Sequence, residues 1–175
     1  MKKLILLILG LAALPVWADT RDQLIYGNSP ENNFEDDSKP WAEVQAQLPA
    51  YPKQENLVRF DVSAATDNTY SIDTASLSIG QDEVVRYTVV IDSPRGARSV
   101  NFEGMRCDPT EFKIYAFGHV DNTWSKNRYA KWEGYKLRSL LSYHKALFED
   151  HFCTNGLRVR TAKDAIRDLK RTQPR

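Results

Sequence analysis

The stretch VVRYTVVIDSPRGARSVNFEGMRC, residues 84–107, has the pattern of two β-strands joined by a turn. Apolar residues alternate with polar ones on both sides of DSPRGARS, a segment rich in Pro, Gly and Ser. Alternation with a period of two is typical of strands, and these small or polar residues are typical of turns. The stretch therefore predicts an antiparallel hairpin at the centre of a sheet.

The same alternation predicts which side chains share a face of this hairpin. A slip of one residue would turn every side chain to the opposite face, so the apolar sets of the two strands should coincide: Val85, Tyr87, Val89 and Ile91 with Val100 and Phe102. Arg86 and Glu103 would then share the other face, within reach of an ion pair. This pair is either an ordinary surface ion pair or, with Arg95, Arg98 and Arg106, part of an anion-binding patch.

Further strand patterns surround the hairpin without helical segments between them. They are LVRFDV (57–62), TYSID (69–73), SLSIG (76–80) and EFKIYAFG (111–118). Closely spaced strands of this kind indicate an antiparallel sheet. Together with the helices described next, they predict an α+β fold with five to six strands.

Three segments have helical spacing. PWAEVQAQLP places Trp41, Val44 and Leu48 at i, i+3 and i+7 between two prolines, which predicts a short helix. Residues 137–152 carry a longer apolar stripe, which predicts one long helix packed on the sheet. Thr161 followed by Asp164 resembles a capping box at the start of a C-terminal helix whose outer face is basic.

The N-terminus has the pattern of a secretory signal peptide. Lys2 and Lys3 precede an apolar run from Leu4 to Leu14, and Val16 and Ala18 satisfy the small-residue rule for cleavage. We expect a soluble periplasmic protein that begins at Asp19, without a lipid anchor or a transmembrane segment. Residues 19–40 have few apolar side chains, so we expect a mobile acidic segment there.

The charge balance argues against nucleic acid as a partner. The chain has 24 Lys and Arg against 23 Asp and Glu, and removing Lys2 and Lys3 leaves a net charge of about −1. The charges are unevenly spread: residues 19–43 contain seven acidic and two basic residues, and residues 157–175 contain seven basic and two acidic residues.

Cys107 and Cys153 are the two cysteines of the chain. In an exported protein they would form one disulfide, and the closed loop would stabilise the fold by about 4 kcal/mol. The competing interpretation is a free reactive thiol, for which His151 lies two residues from Cys153.

Two further groups of residues suggest chemistry. In WSKNRYAKWEGYK, residues 124–136, Trp124 and Trp132 belong to an alternation of aromatic and basic side chains, which indicates either core packing or a surface for an anionic glycan or lipid headgroup. His119 and Asp121 would offer a metal two ligands, whereas a zinc site needs three or four. With no catalytic or nucleotide-binding motif, we expect no cofactor, no metal site and no catalytic residues.

Four blocks of the sequence resemble the CNP-one-like family of exported bacterial proteins: PWAEVQAQLPAYP, IDTASLSIGQDEVVRYTVVI, SVNFEGMRC and YHKALFEDHFC. The resemblance implies an envelope compartment and transfers no catalytic residues. We therefore divide the chain into a signal peptide (1–18), the acidic segment (19–40), a CNP-one-like α+β domain (41–156) and a basic C-terminal helix and tail (157–175).

The function predicted from these observations is binding without catalysis, with an envelope protein or an anionic envelope component as the partner. The candidate binding residues are Arg86, Glu103, Arg106, Trp124 and Trp132. A metal-assisted hydrolase using His119 and Asp121 is the alternative.

Overall fold

A computed structural model describes residues 40–134 and 142–173. The predicted signal peptide, nearly all of the acidic segment and the first part of the predicted long helix lie outside these ranges. Within the described ranges, no helix combines the length and the hydropathy that are needed to cross a membrane.

The described chain folds into a seven-stranded antiparallel sheet whose first six strands follow chain order. The strands are β1 (Leu57–Phe60), β2 (Thr69–Ile79), β3 (Val85–Asp92), β4 (Arg98–Arg106), β5 (Glu111–Gly118), β6 (Trp124–Lys126) and β7 (Glu133–Gly134). Both β6 and β7 pair with β5, at opposite ends of that strand. The two short strands, β6 and β7, were not predicted from the sequence and bring the number above the expected five to six.

The helical elements come after the strands. Tyr143–Ala146 is α-helical and Leu147–Phe152 is π-helical, and together they form α1. Helix α2 spans Ala162–Arg171, and short 3-10 turns lie at Gln54–Asn56 and Thr154–Gly156. In place of the predicted long helix over 137–152, the structure shows a short helical element of ten residues, 143–152, of which the last six are π-helical, and residues 137–141 lie outside the described ranges.

The C-terminal helix is confirmed, including its cap. The backbone N–H of Asp164 donates to the Thr161 hydroxyl, and this hydroxyl donates to the Asp164 carboxylate. Ala165 and Leu169 are fully buried in the same core that α1 and the sheet form. Helix α2 is thus anchored on the sheet by an apolar face of its own.

The two faces of the sheet are covered by different parts of the chain. One face packs against α1 and α2 through residues such as Ile72, Tyr87 and Met105. The other face carries Phe102 and Trp124, whose ring centroids lie 6.4 Å apart. Residues 41–51, which have no regular secondary structure, lie on this second face through bonds to Arg86 and Trp124, and we call this segment the strap.

The predicted helix over residues 41–48 is wrong, because the strap has no helical residues. Its backbone groups bond to the sheet instead. The N–H of Val44 donates to Asp82 Oδ2 over 2.8 Å, and the Val44 carbonyl accepts from Arg86 Nη2 over 2.7 Å. Bonds to residues about forty positions away in sequence replace the local bonds that a helix needs, so the i, i+3, i+7 spacing of apolar residues was misleading.

The disulfide between Cys107 and Cys153 is confirmed, with the two Cα atoms 5.3 Å apart. It joins the turn after β4 to the end of α1. A free thiol beside His151 is thereby ruled out, since neither cysteine is free.

Candidate functional site

The strap is fixed to the sheet by the two tryptophans that the sequence suggested for ligand binding. Trp124 Nε1 donates to the Pro49 carbonyl over 3.1 Å, and Trp132 Nε1 donates to Glu43 Oε2 over 3.1 Å. Lys113 Nζ also donates to Glu43 Oε2, over 2.8 Å. Both tryptophans are half-buried, and the indole nitrogen of each is bonded to the chain's own strap.

Glu43 is the charged anchor of the strap. Burial alone would raise the pKa of its carboxyl, but the hydrogen bonds from Lys113 and Trp132 and the charge of Lys113 help to keep the pKa below its ordinary value. The carboxylate is therefore ionised at neutral pH and holds the strap against β5.

Arg86, a second candidate binding residue, forms a buried ion pair with Asp82. Arg86 Nη1 and Nη2 donate to the two carboxylate oxygens of Asp82 over 3.0 and 2.6 Å. The Asp82 side chain is fully buried and the Arg86 side chain is 7% exposed. Although burial raises the pKa of Asp82, the bonds from Arg86 and from the Val44 N–H lower it below the ordinary value. This pair is a further attachment point of the strap.

Glu103 lies on the opposite face of the sheet, beneath α1. Its carboxylate is inaccessible to solvent and accepts hydrogen bonds from Tyr143 (2.6 Å), Tyr87 (3.0 Å) and Asn101 (3.2 Å). His144 Nε2 lies 2.9 Å from Glu103 Oε2. Burial and the adjacent carboxylate raise the pKa of both phenols well above the ordinary value, so Tyr87 and Tyr143 stay protonated and donate.

The predicted ion pair between Arg86 and Glu103 is therefore wrong. In the β3–β4 register Arg86 is opposite Gly104, and Glu103 is opposite Tyr87. The apolar sets of the two strands do not coincide, because Phe102 belongs to the strap-covered face and Tyr87 to the helix-covered face. Both faces of the sheet are covered, so apolar residues occur on both and the pattern does not determine the register.

Arg106, a further candidate binding residue, lines an open cavity. This cavity, which we call the Trp41 cleft, has a volume of about 380 Å³. Four separate parts of the chain form it: the start of the strap, the β2–β3 turn, the turn after β4 and the loop after α1. Its lining residues are Trp41, Asp82, Glu83, Arg106, Cys107, Asp108, Gly156, Leu157 and Arg158.

The wall of the Trp41 cleft is an ordered stack of a cation on aromatic rings. The guanidinium carbon of Arg106 lies 3.7 Å from the ring centroid of Trp41 and 5.6 Å from that of Trp132. Trp41 Nε1 donates to the Asp82 carbonyl, which fixes the orientation of the indole. The stack holds the Arg106 side chain in one place at the edge of the cleft.

The charges of the Trp41 cleft are nearly balanced. Arg106 Nη1 donates to Glu111 Oε2 over 3.2 Å, and Arg158 Nη2 lies 3.6 Å from Glu83 Oε1. Asp108 adds a further exposed carboxylate. A free anion would have to compete with these carboxylates for both arginines, so the cleft favours a ligand that presents polar and apolar groups together.

Two apolar side chains border the cleft and face solvent. Leu157 is 74% exposed and Trp41 is 43% exposed. Neither was singled out as a site residue from the sequence. Leu157 follows Gly156, which has a positive φ of 74°, in a short irregular loop, and nothing in the local sequence indicates that this loop lies beside Trp41.

His119 and Asp121 lie in the turn between β5 and β6. Asp121 Oδ1 accepts from the backbone N–H and the hydroxyl of Thr123, and these bonds lower the pKa of the carboxyl. In the described part of the chain, no group of three or more His, Cys, Asp or Glu side chains is arranged to hold a metal ion. His144 contacts Glu103 and His151 packs on Phe60, so neither joins His119.

Comparison with known proteins gives one result. A family model described as the CNP1-like family matches residues 36–170, and the chain belongs to that family. The resemblance drawn from the sequence is thereby confirmed. Neither the curated proteins nor the solved structures provide a significant match.

Proposed function

We propose that this CNP1-like protein is exported to the bacterial cell envelope and binds a partner protein there through the Trp41 cleft. The proposal assigns it no catalytic step. The observation that carries the proposal is the combination, at one open cleft, of the Trp41–Arg106 stack with the 74% exposed Leu157.

The chemistry of the cleft supports a protein as the partner. Tryptophan and arginine are the residue types that most often dominate the binding energy of protein interfaces. Leu157 supplies an apolar side chain that a partner can bury, and the paired charges around it supply polar contacts at the rim. The Trp41–Arg106 stack is already ordered, so little side-chain freedom is lost on binding.

Two observations support the envelope as the compartment. Residues 1–18 have the pattern of a cleaved signal peptide. The disulfide between Cys107 and Cys153 fits an oxidising compartment, since disulfides are rare in the reducing cytoplasm.

Photocrosslinking in living cells tests this proposal. A photoreactive amino acid replaces Leu157 in one strain and Val120 in a control strain. Val120 is fully exposed in the β5–β6 turn and lies at the far end of the eight-residue strand β5, about 25 Å from the turn that lines the cleft.

The expected result is a discrete crosslinked product of higher mass with the probe at position 157 and none with the probe at position 120. Fractionation should place this product in the envelope. The proposal is overturned if position 157 gives no product, or if both positions give the same products.

A further inference from the structure

The outer side of helix α2 carries a line of cations. Lys163, Arg167 and Lys170 stand at i, i+4 and i+7, so they lie one above another along the helix. All three are exposed, whereas Ala165 and Leu169 on the opposite side are fully buried. The cationic side of α2 therefore faces away from the protein.

Most of this charge is not neutralised within the described residues. Asp164 and Asp168 pair with Arg167 and Arg171, at 2.8 and 3.7 Å. No ion pair in the described part of the chain involves Lys163 or Lys170, nor Arg160 just before the helix. This leaves two unpaired exposed cations, Lys163 and Lys170, along one side of a helix that is about 15 Å long, and the exposed Arg160 immediately before the helix.

The shape and chemistry of this side fit a flat anionic surface. None of the exposed large apolar residues of the described chain belongs to α2, so the helix has nothing to insert into a hydrocarbon layer. It also lacks the aromatic side chains on which the bases of a single-stranded nucleic acid would stack. Lysines on long flexible stems are suited to many shallow contacts with phosphate groups.

We propose that the outer side of α2 docks the protein on an anionic phospholipid bilayer by electrostatic attraction alone. Because only exposed charges contribute, the docking is reversible and weakens with salt. This surface differs from the Trp41 cleft, and its test needs only the purified protein and vesicles, so each proposal can fail without the other.

Co-sedimentation of the oxidised protein with vesicles tests the docking. Vesicles of phosphatidylcholine alone are compared with vesicles that also contain phosphatidylglycerol. The protein should sediment only with the anionic vesicles, and about 1 M salt, at which the Debye length is about 3 Å, should release it.

Two double variants locate the surface. Lys163→Glu/Lys170→Glu should reduce the partition onto anionic vesicles by at least about tenfold. Lys53→Glu/Arg95→Glu, which changes the net charge equally at two exposed positions outside α2, should retain most of it. Thermal unfolding of both variants confirms that the fold is intact.

Three outcomes overturn the proposal. In the first, the wild-type protein sediments equally with both kinds of vesicle. In the second, both double variants lose the same share of their partition onto anionic vesicles, and in the third the protein binds duplex DNA more tightly than anionic vesicles at equal phosphate concentration.

Discussion

The buried pair of Asp82 and Arg86 offers the sharpest test of how the strap is held. Replacing Arg86 with Met removes the cation but leaves the fully buried Asp82 carboxylate without its ion-pair partner. Leaving a buried charge unpaired costs about 3 to 5 kcal/mol of unfolding free energy. The Val44 carbonyl also loses its donor, so the strap should loosen together with the pair.

Urea unfolding measures the loss in stability, and hydrogen exchange at the Val44 amide measures the loosening of the strap. Arg98→Met is the matched control, because Arg98 also bonds a carboxylate through two nitrogens, at Asp92, but its side chain is 49% exposed. Exposed pairs contribute about 0 to 1 kcal/mol. If Arg86→Met costs no more than Arg98→Met, our account of the strap is wrong.

Two extensions test the electrostatic cause of this effect. In Asp82→Asn/Arg86→Met the unpaired charge is gone, so the double variant should be more stable than Arg86→Met, with a coupling energy of about 1 to 3 kcal/mol.

The second test varies the pH. The bonds from Arg86 lower the pKa of Asp82, so the contribution of this ion pair to stability is present above about pH 4 and is lost as the pH falls through the lowered pKa. The stability gap between wild type and Arg86→Met should close over the same pH range.

Three further predictions concern stability. Replacing Cys107 and Cys153 with Ser, singly or together, should cost about 4 kcal/mol in urea unfolding, equally in each case, because one 46-residue loop is opened. Burial raises the pKa of Asp73, so Asp73→Asn should stabilise the fold at pH 7, and the gain should vanish below about pH 4, where the carboxyl is protonated in both states. Thr161→Ala should lower stability by about 1 kcal/mol in thermal unfolding, because the N–H of Asp164 loses its cap.

Strands β1 to β5 and the disulfide could be predicted from the sequence because their signals are local or compositional. The predicted strand over 111–118 coincides with β5, since turn residues flank a period-two run on both sides. Predicting the disulfide required only the number of cysteines and the signal-peptide pattern. The cap of α2 likewise depends on two residues three positions apart, Thr161 and Asp164.

The strap and the cleft could not be predicted, because contacts distant in sequence determine both. The backbone of Val44 bonds to Asp82 and Arg86, and no local pattern shows that these bonds replace a helix. The strap covers the second face of the sheet, so that face also carries apolar residues, Phe102 among them. The alternation of apolar and polar residues therefore assigned Glu103 to the strap-covered face, whereas it lies on the helix-covered face. The Trp41 cleft depends on the same docking of the strap.

Binding of the crosslinked partner by defined variants tests the central claim most directly. Once the protein captured at position 157 is purified, its dissociation constant is measured for wild type, Leu157→Asp and the control Val120→Asp, which alters an even more exposed apolar residue far from the cleft. Placing a charge on the residue that the partner buries should weaken binding at least about tenfold, a loss of about 1.4 kcal/mol or more. Val120→Asp should leave binding unchanged. Equal affinities for all three proteins would contradict the assignment of the Trp41 cleft as the binding site.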